Sequence, residues 1–375
     1  MPLQVLDAWD SSRTKPQQPT LTVVIPTYDE AKNILPLLRK LESALKSIDW
    51  EVIFADDDSP DGTHSLAKKL SHQDRRIRCL RRVGRRGLAG ACIDGILASS
   101  ARYVAVMDGD LQHDETLLVR MLRRLEDGEG DIVVGTRYVE GGSAAAFSPH
   151  RGLLSRAANG LTRKLLGVSI SDPMSGFFMV RRDAFEKFAP RLSHEGFKIL
   201  LDLLATSRHE LRAIEEPYVF RSRQFGESKF NIRIGLEFIG LIAARLTNGV
   251  IEPRFVPYAF VGLLGLAVHF SILSIALNFT GFEQGQAMAT FGAMLSNFAI
   301  NNVLTYRDMR LRGLAAVKGA IVFCLIGATG FIANIGVATL LYGTRPVWWL
   351  AGAAGALIGS VWNFSMSNRL VWRRP

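Results

Sequence analysis

Charge is spread so unevenly along this chain that it cannot fold as one uniform globular domain. Residues up to about Leu236 carry most of the charged side chains. From about Phe255 to Trp372 the chain is mostly apolar, with long stretches that lack any charge. The overall values, 48% hydrophobic and 21% charged over 375 residues, average over that contrast. The apolar part divides into four candidate spans, 255–278, 286–306, 317–342 and 347–368. Each approaches or exceeds the roughly 20 residues a helix needs to cross a bilayer core. Arg245 and Arg254 precede the first span; Arg307, Arg310, Arg312 and Lys318 lie between the second and third; Arg369, Arg373 and Arg374 follow the fourth. The other two loops hold only Arg345. This bias predicts a multi-pass protein of the cytoplasmic membrane with both termini and the charged region on the cytoplasmic side.

Residues 1–20 show no apolar core behind a basic start, so they are expected to form a loose tail rather than a signal peptide. Cys79, Cys92 and Cys324 have no paired spacing, which argues against a zinc site or a disulfide framework. The formal net charge of +10 suits anionic lipid and phosphate ligands. Nucleic acid is the weaker partner, because no basic stripe is interleaved with aromatic residues. Arg75, Arg76, Arg81, Arg82, Arg123 and Arg124 are expected to be solvated surface charges.

The charged region alternates short β-rich runs with helical spacing. Runs at 21–25, 52–55, 77–80, 103–107 and 132–134 are separated by helical stretches, the first with Leu35, Leu38, Leu41 and Leu45 in register. This alternation predicts a mainly parallel sheet with helices on both faces and ligands at the carboxyl ends of its strands. The expected organisation is a tail over 1–20, an α/β domain over 21–231, an amphipathic interface helix and linker over 232–252, and an all-α four-helix transmembrane domain over 253–375. The last contains a repeat. Asn297-Phe298 and the residues up to Arg307 echo Asn363-Phe364 and those up to Arg373, while Gly262 and Gly265 echo Gly327 and Gly330. Two similarly oriented hairpins with closely approaching helices would give this pattern. Asn297, Asn334 and Asn363 inside apolar spans are expected to hydrogen-bond between helices.

Acidic and glycine-rich motifs follow the strands. Asp108-Gly109-Asp110 closes the fourth, and Gln112 follows at alternate spacing. Neighbouring carboxylates repel unless a cation lies between them, and a hard ion, Mg²⁺ or Mn²⁺, suits oxygen ligands and phosphate. An isolated D-x-D is weak, but here it has company. Pro26-Thr27-Tyr28-Asp29-Glu30 follows the first strand, Asp56 to Thr63 the second, and Gly135-Thr136-Arg137-Tyr138 the fifth. Gly87-Leu88-Ala89-Gly90 opens a helix. Then come Arg151 to Ser155, Asp172 to Phe177, Glu195 to Lys198, and Arg223 to Lys229.

This ordered series resembles glycosyltransferase family 2, in its dolichyl-phosphate mannose synthase branch, over about residues 21–230. The four-helix part resembles, more weakly, the GtrA-type membrane domain, as in the multi-span prokaryotic members. The resemblance implies a Rossmann-like GT-A fold and inverting, metal-dependent transfer from a nucleotide-sugar, GDP-mannose favoured, to dolichyl or another polyprenyl phosphate. It implies that Pro26, Tyr28, Glu30, Ala55 and Asp57 hold base and ribose, and that Asp108, Asp110 and Gln112 hold the metal, with Gly109 close to the nucleotide. Arg137 would face the donor sugar or acceptor phosphate, Arg151 and Ser155 would bind the acceptor phosphate, and Arg223 and Lys229 would close over the donor diphosphate. Asp110 and Arg137 are the catalytic candidates. His113 reads as supporting rather than catalytic, Asp172 as orienting the Ser175-Gly176 turn, and Gly141 to Ala144 as a mobile loop that gates the acceptor. Gly109, Asp29 and Ala55 depart from the usual spelling at their positions, with alanine, asparagine and a larger aliphatic expected. The alternatives are a UDP-glucose donor, or a lipid-linked-sugar flippase or binding protein with a regulatory soluble domain. Homo-oligomerisation is left open.

Overall fold

The computed structural model describes residues 18–372, apart from 144–148, Glu195, Phe197, 222–231 and 345–346. The side chains of 149–154, 232–233, 335, 338, 342, 348–349 and 351–353 are likewise undescribed. Most of the expected tail, and the calls on Glu195, Arg223 and Lys229, therefore lie outside the described residues. The chain divides into two compact units, with the boundary between Ser228 and Lys229.

The first unit is a three-layer α/β domain. Its elements are β1 (Leu21–Thr27), α1 (Ala31–Ala44), β2 (Trp50–Asp56), α2 (Thr63–Ser71), β3 (Ile77–Arg81), α3 (Leu88–Leu97), β4 (Tyr103–Val106), α4 (Leu117–Glu126), β5 (Ile132–Thr136), α5 (Pro149–Leu166), β6 (Phe178–Arg181), α6 (Arg182–Phe188), α7 (Ile199–Ser207) and β7 (Ala213–Pro217). The sheet order is β3-β2-β1-β4-β6-β5-β7. Strand side chains alternate between faces. Leu21, Val23 and Ile25 of β1 accordingly meet Ile34, Leu37 and Leu41 of α1 and Leu118 and Met121 of α4 in one core. Val24 points to the other face, against α3, where Gly95 leaves no room for a Cβ beside the Val24 side chain.

The sheet is mixed. β6 runs antiparallel to both β4 and β5, pairing Phe178 with Val106 and with Val134. The apolar pattern stops at the fifth strand because β6 has only four residues and runs directly into α6, while β7 is half-buried and carries Glu215 and Glu216. The stripe on α1 is also shifted. Ile34 and Leu37 are buried, and Leu35 is 44% exposed.

The second unit comprises α8 (Ile232–Leu246), α9 (Phe255–Ala276), α10 (Phe282–Val303), α11 (Leu314–Thr344) and α12 (Trp348–Leu370). Phe255–Ala276 and Leu314–Leu341 are long and apolar enough to cross a membrane. Helices α10 and α12 have comparable length but carry more polar side chains. α9 packs on α10 and α11 on α12, so the repeat folds as two hairpins. The Asn297 amide fills the space that a Cβ on Gly265 would take, and Asn363 does the same at Gly330. Small residues therefore let the helices of each hairpin approach.

The two hairpins join through a reciprocal exchange. The Tyr306 hydroxyl donates to Asn368 Oδ1, and Trp372 Nε1 donates to Asn302 Oδ1 at 3.1 Å. Each hairpin's terminal aromatic thus bonds the other hairpin's asparagine. The Tyr306 and Trp372 rings stack between them, 4.0 Å apart and nearly parallel. Tyr258 meets Phe364, and its counterpart Phe323 meets Phe298.

Candidate active site

Strand direction gathers the motifs. β1 is parallel to β2 and β4, and β5 shares the direction of β4 because β6 opposes both. The loops after β1, β2, β4 and β5 therefore emerge at one edge, joined there by the 172–176 turn that feeds β6. Short side chains fasten these loops. Asp56 accepts from the Ser59 amide, the Ser59 hydroxyl and Thr27 Oγ1. Asp61 accepts from the Thr63 amide and hydroxyl and from the Ala31 amide. Asp29 has φ +61°. That left-handed conformation suits Asp and Asn, whose short polar side chains tolerate it, and the Asp29 amide donates to Ser59 Oγ.

Among the base and ribose candidates, Pro26 lies opposite Ala55 in the β1–β2 register, and Ala55 is fully buried. Tyr28 projects at the edge with Arg86 stacked over its ring, 4.9 Å away. The Glu30 carboxylate accepts from Asn33 Nδ2, and its amide donates to Thr63 Oγ1. Asp57 is buried and engaged on both oxygens. Oδ1 accepts from Arg82 and Oδ2 from the Gly87 amide at 2.6 Å. Burial pushes its pKa up, against the lowering effect of those partners. Arg82 corrects the expectation of a solvated surface charge. Its side chain is 5% exposed and also binds Asp94 and the Gly87 carbonyl. The sequence offered no signal for this, because Arg82 stands among other arginines with the same local pattern.

Past β4 the chain turns tightly. Leu111 takes φ +64°, an expensive conformation for leucine, held by full enclosure of its side chain. The Gln112 amide donates to Asp110 Oδ1, while Gln112 Nε2 donates to the Arg221 carbonyl at 2.9 Å. That bond fixes the side-chain amide and reserves Oε1 as an acceptor. Asp108 backs onto Gly176, where an added Cβ would lie 2.8 Å from Asp108 Oδ2. At Gly109 a Cβ would meet protein atoms only at ordinary distances, the nearest 3.4 Å. Among the described residues no three His, Cys, Asp or Glu side chains form a metal-binding cluster. A cation here would rely on two carboxylates, an amide oxygen and the phosphates of a bound donor, and this all-oxygen set fits Mg²⁺ or Mn²⁺.

Arg221 was missed by sequence reasoning. Its guanidinium bridges Asp114 and Glu115, and its amide donates to the Gln112 carbonyl. It thereby ties the Asp108–Gln112 loop to the segment that follows β7. His113 is fully enclosed, and burial pushes its pKa down to about 4, so it is neutral.

Arg137 follows β5 and lies across Asp172. Nε donates to Oδ2 at 2.7 Å and one terminal nitrogen to Oδ1 at 2.9 Å. Burial works against the Arg137 charge, but the Asp172 bonds outweigh it and raise the pKa further. The guanidinium also covers the Phe220 ring. Asp172 orients the neighbouring turn, and Ser175 Oγ ties that turn to the Gly135 carbonyl. Tyr138 links to Ser155 of α5, hydroxyl to hydroxyl, at 2.8 Å. Ser155 thus comes to the end of β5 that carries Arg137, through Tyr138. Arg151 lies in the first turns of α5, and the expectation for its side chain falls outside the described residues. Of the loop expected to gate the acceptor, Ser143 bridges to Val219, and Ala144 lies outside the described residues.

Residues 22–189 match Glycosyl transferase family 2, and residues 257–372 match the GtrA/DPMS transmembrane domain. The chain is 32% identical over 349 residues to the dolichol-phosphate mannosyltransferase of Pyrococcus furiosus, covering 87% of this chain and 97% of that protein. The enzymes of the same name from Mycosarcoma maydis and Saccharomyces cerevisiae are 34% and 35% identical over 62% and 58% of this chain, and 79% and 84% of theirs. Glucosyl-3-phosphoglycerate synthase from Mycobacterium tuberculosis also aligns, with 18% identity and a TM-score of 0.49, over 61% of this chain and 80% of that one. The long match to the Pyrococcus protein spans both units, and the second unit makes the chain a membrane protein. The chain belongs to the dolichol-phosphate mannosyltransferases of glycosyl transferase family 2, in the form that carries a GtrA/DPMS transmembrane domain.

Proposed function

We propose that the protein transfers mannose from GDP-mannose, with inversion, to dolichyl or another polyprenyl phosphate at the cytoplasmic face of the membrane. The observation that carries this reading is the shared sheet edge. It holds an oxygen-rich loop, Asp108 to Gln112, beside a buried and permanently charged Arg137 that leads to Ser155 on α5. An oxygen of the acceptor phosphate attacks the anomeric carbon from one side. The bond from that carbon to the β-phosphate oxygen breaks on the other, and GDP leaves with the negative charge. Mg²⁺ or Mn²⁺, held by Asp108, Asp110 and Gln112, would supply charge neutralisation on the diphosphate.

The acceptor is a phosphate monoester with a second pKa of about 6, so it is largely a dianion at neutral pH. It needs no general base, which agrees with an enclosed His113 whose basicity burial lowers. Alignment and phosphate neutralisation remain, and arginine suits both through its planar fork. Arg223 and Lys229 are proposed to cover the donor diphosphate, and Pro26, Tyr28, Glu30, Ala55 and Asp57 to enclose base and ribose.

The test is transfer of labelled sugar to a polyprenyl phosphate from GDP-mannose and, in parallel, UDP-glucose, with Mg²⁺ or with chelator. Chelator-sensitive mannolipid from GDP-mannose, lost in Asp110→Asn, is the expected result. Product from UDP-glucose alone would change the donor and keep the mechanism. No product from either would remove the reading.

A further inference from the structure

His113 takes no part in the proposed transfer, yet it is one of the most tightly constrained side chains in the first unit. Its ring stacks on Phe177, centroids 4.9 Å apart and planes within 10°. Tyr218 meets it edge-on at 5.8 Å, and Phe220 lies at the same distance. Phe177 enters β6 and the other two follow β7, so three aromatic walls from distant parts of the chain hold the imidazole. A ring packed this way cannot turn, and its two nitrogens keep fixed bearings.

Both bearings lead to one residue. Nδ1 accepts the Asp108 backbone amide at 3.2 Å. An accepting Nδ1 carries no proton, so the neutral ring is protonated at Nε2. Nε2 lies 3.7 Å from Asp108 Oδ2. That separation is beyond hydrogen-bonding range, so the hold on Asp108 is the bond from its backbone amide to Nδ1. The contact also closes the 108–113 loop across Leu111, whose φ of +64° needs outside support. On the other flank, Arg221 donates to the His113 carbonyl at 3.4 Å.

We propose that His113 is a positioning residue that holds Asp108 by its backbone amide, and through it sets the place of the carboxylate offered to the divalent cation. The inference rests on the reading of Asp108, Asp110 and Gln112 as metal ligands. Residues that orient a ligand in this way typically govern metal affinity by about 10- to 100-fold. A phenyl ring at this position would keep the stacking and lose the bond to the Asp108 amide.

The experiment measures Mn²⁺ binding to the full-length protein with GDP present, from the spectroscopic signal of free Mn²⁺, alongside melting temperature. His113→Phe should melt like the parent and bind Mn²⁺ at least about tenfold more weakly. His113→Asn can place an amide oxygen near the position of Nδ1, and should bind more tightly than the Phe variant. Parent-like Mn²⁺ affinity in His113→Phe, with Asp110→Asn losing it, would overturn the proposal and leave the metal-site reading standing. Equal weakness in His113→Asn and His113→Phe would overturn the role of the Nδ1 contact. A parent protein that binds no Mn²⁺ with GDP would remove both the metal reading and the proposal. Should His113→Phe not fold, Phe177→Leu takes its place, since it frees the ring and keeps the nitrogens. Weaker Mn²⁺ binding is then expected, and parent-like binding would count against the proposal.

Discussion

Asp172 has no exposed surface, and both its oxygens are committed to Arg137. Removing one partner of such a pair leaves an uncompensated buried charge, which costs about 3–5 kcal/mol. Asp172→Asn should lower stability by about 3 kcal/mol in denaturant unfolding, and reduce transfer as Arg137 loses its seat. Two glycines in the same region should behave oppositely. Gly176→Ala drives a Cβ into the Asp108 carboxylate, and should cut metal-dependent turnover by about tenfold or more, as displacement of a ligand does. Gly109→Ala meets no protein atom closer than 3.4 Å and should leave stability unchanged. A rise in donor KM in that variant would show that the nucleotide itself needs the space. The motif loops were legible in the sequence because each follows a strand and carries its own turn chemistry. The pairings were not. Arg82 with Asp57, and Arg137 with Asp172, join residues brought together only when the strands pair. Nothing local distinguishes a buried arginine from its exposed neighbours.

Five strands and the helices between them could be read from alternation, since each buries a continuous apolar run. β6 could not, and it matters most to the site. Its insertion between β4 and β5 makes the sheet mixed and delivers the 172–176 turn to the edge where Asp108 waits. In the second unit, the Asn-Phe repeat showed two hairpins and left open how they meet. Contacts cross from each half to the other through Asn302, Asn368, Tyr306 and Trp372. Side-chain hydrogen bonds between membrane helices contribute about 0.6 kcal/mol on average, and up to about 1.7. Asn302→Ala should destabilise the unit more than Asn368→Ala, because Asn302 also bonds the Leu311 amide and carbonyl, whereas the one further bond of Asn368, to Glu252, is exposed. Thermal melting in detergent would check the order. Equal, negligible losses would mean that the stacked rings alone hold the hairpins together.

The two units have separate cores, and of the residues proposed for the chemistry all but Lys229 belong to the first. The membrane unit is then expected to concentrate the enzyme near its lipid rather than to act on the sugar. A chain lacking residues 253–375 should show a higher apparent KM for polyprenyl phosphate in bilayers and a nearly unchanged KM for GDP-mannose. Unaltered lipid kinetics would rule out this division of labour. The exchange at Tyr306 and Trp372 also bears on how the protein is made. Helices α9 and α10 are synthesised first, so the Tyr306 hydroxyl gains Asn368 only when the second hairpin follows, while Asn302 can already bond Leu311. The two halves are equivalent at these positions, with an asparagine and an aromatic residue in each. Completing the second hairpin supplies the acceptor for Tyr306 and the ring that stacks on it from within the same chain, so the last residues made are the ones that close the first half.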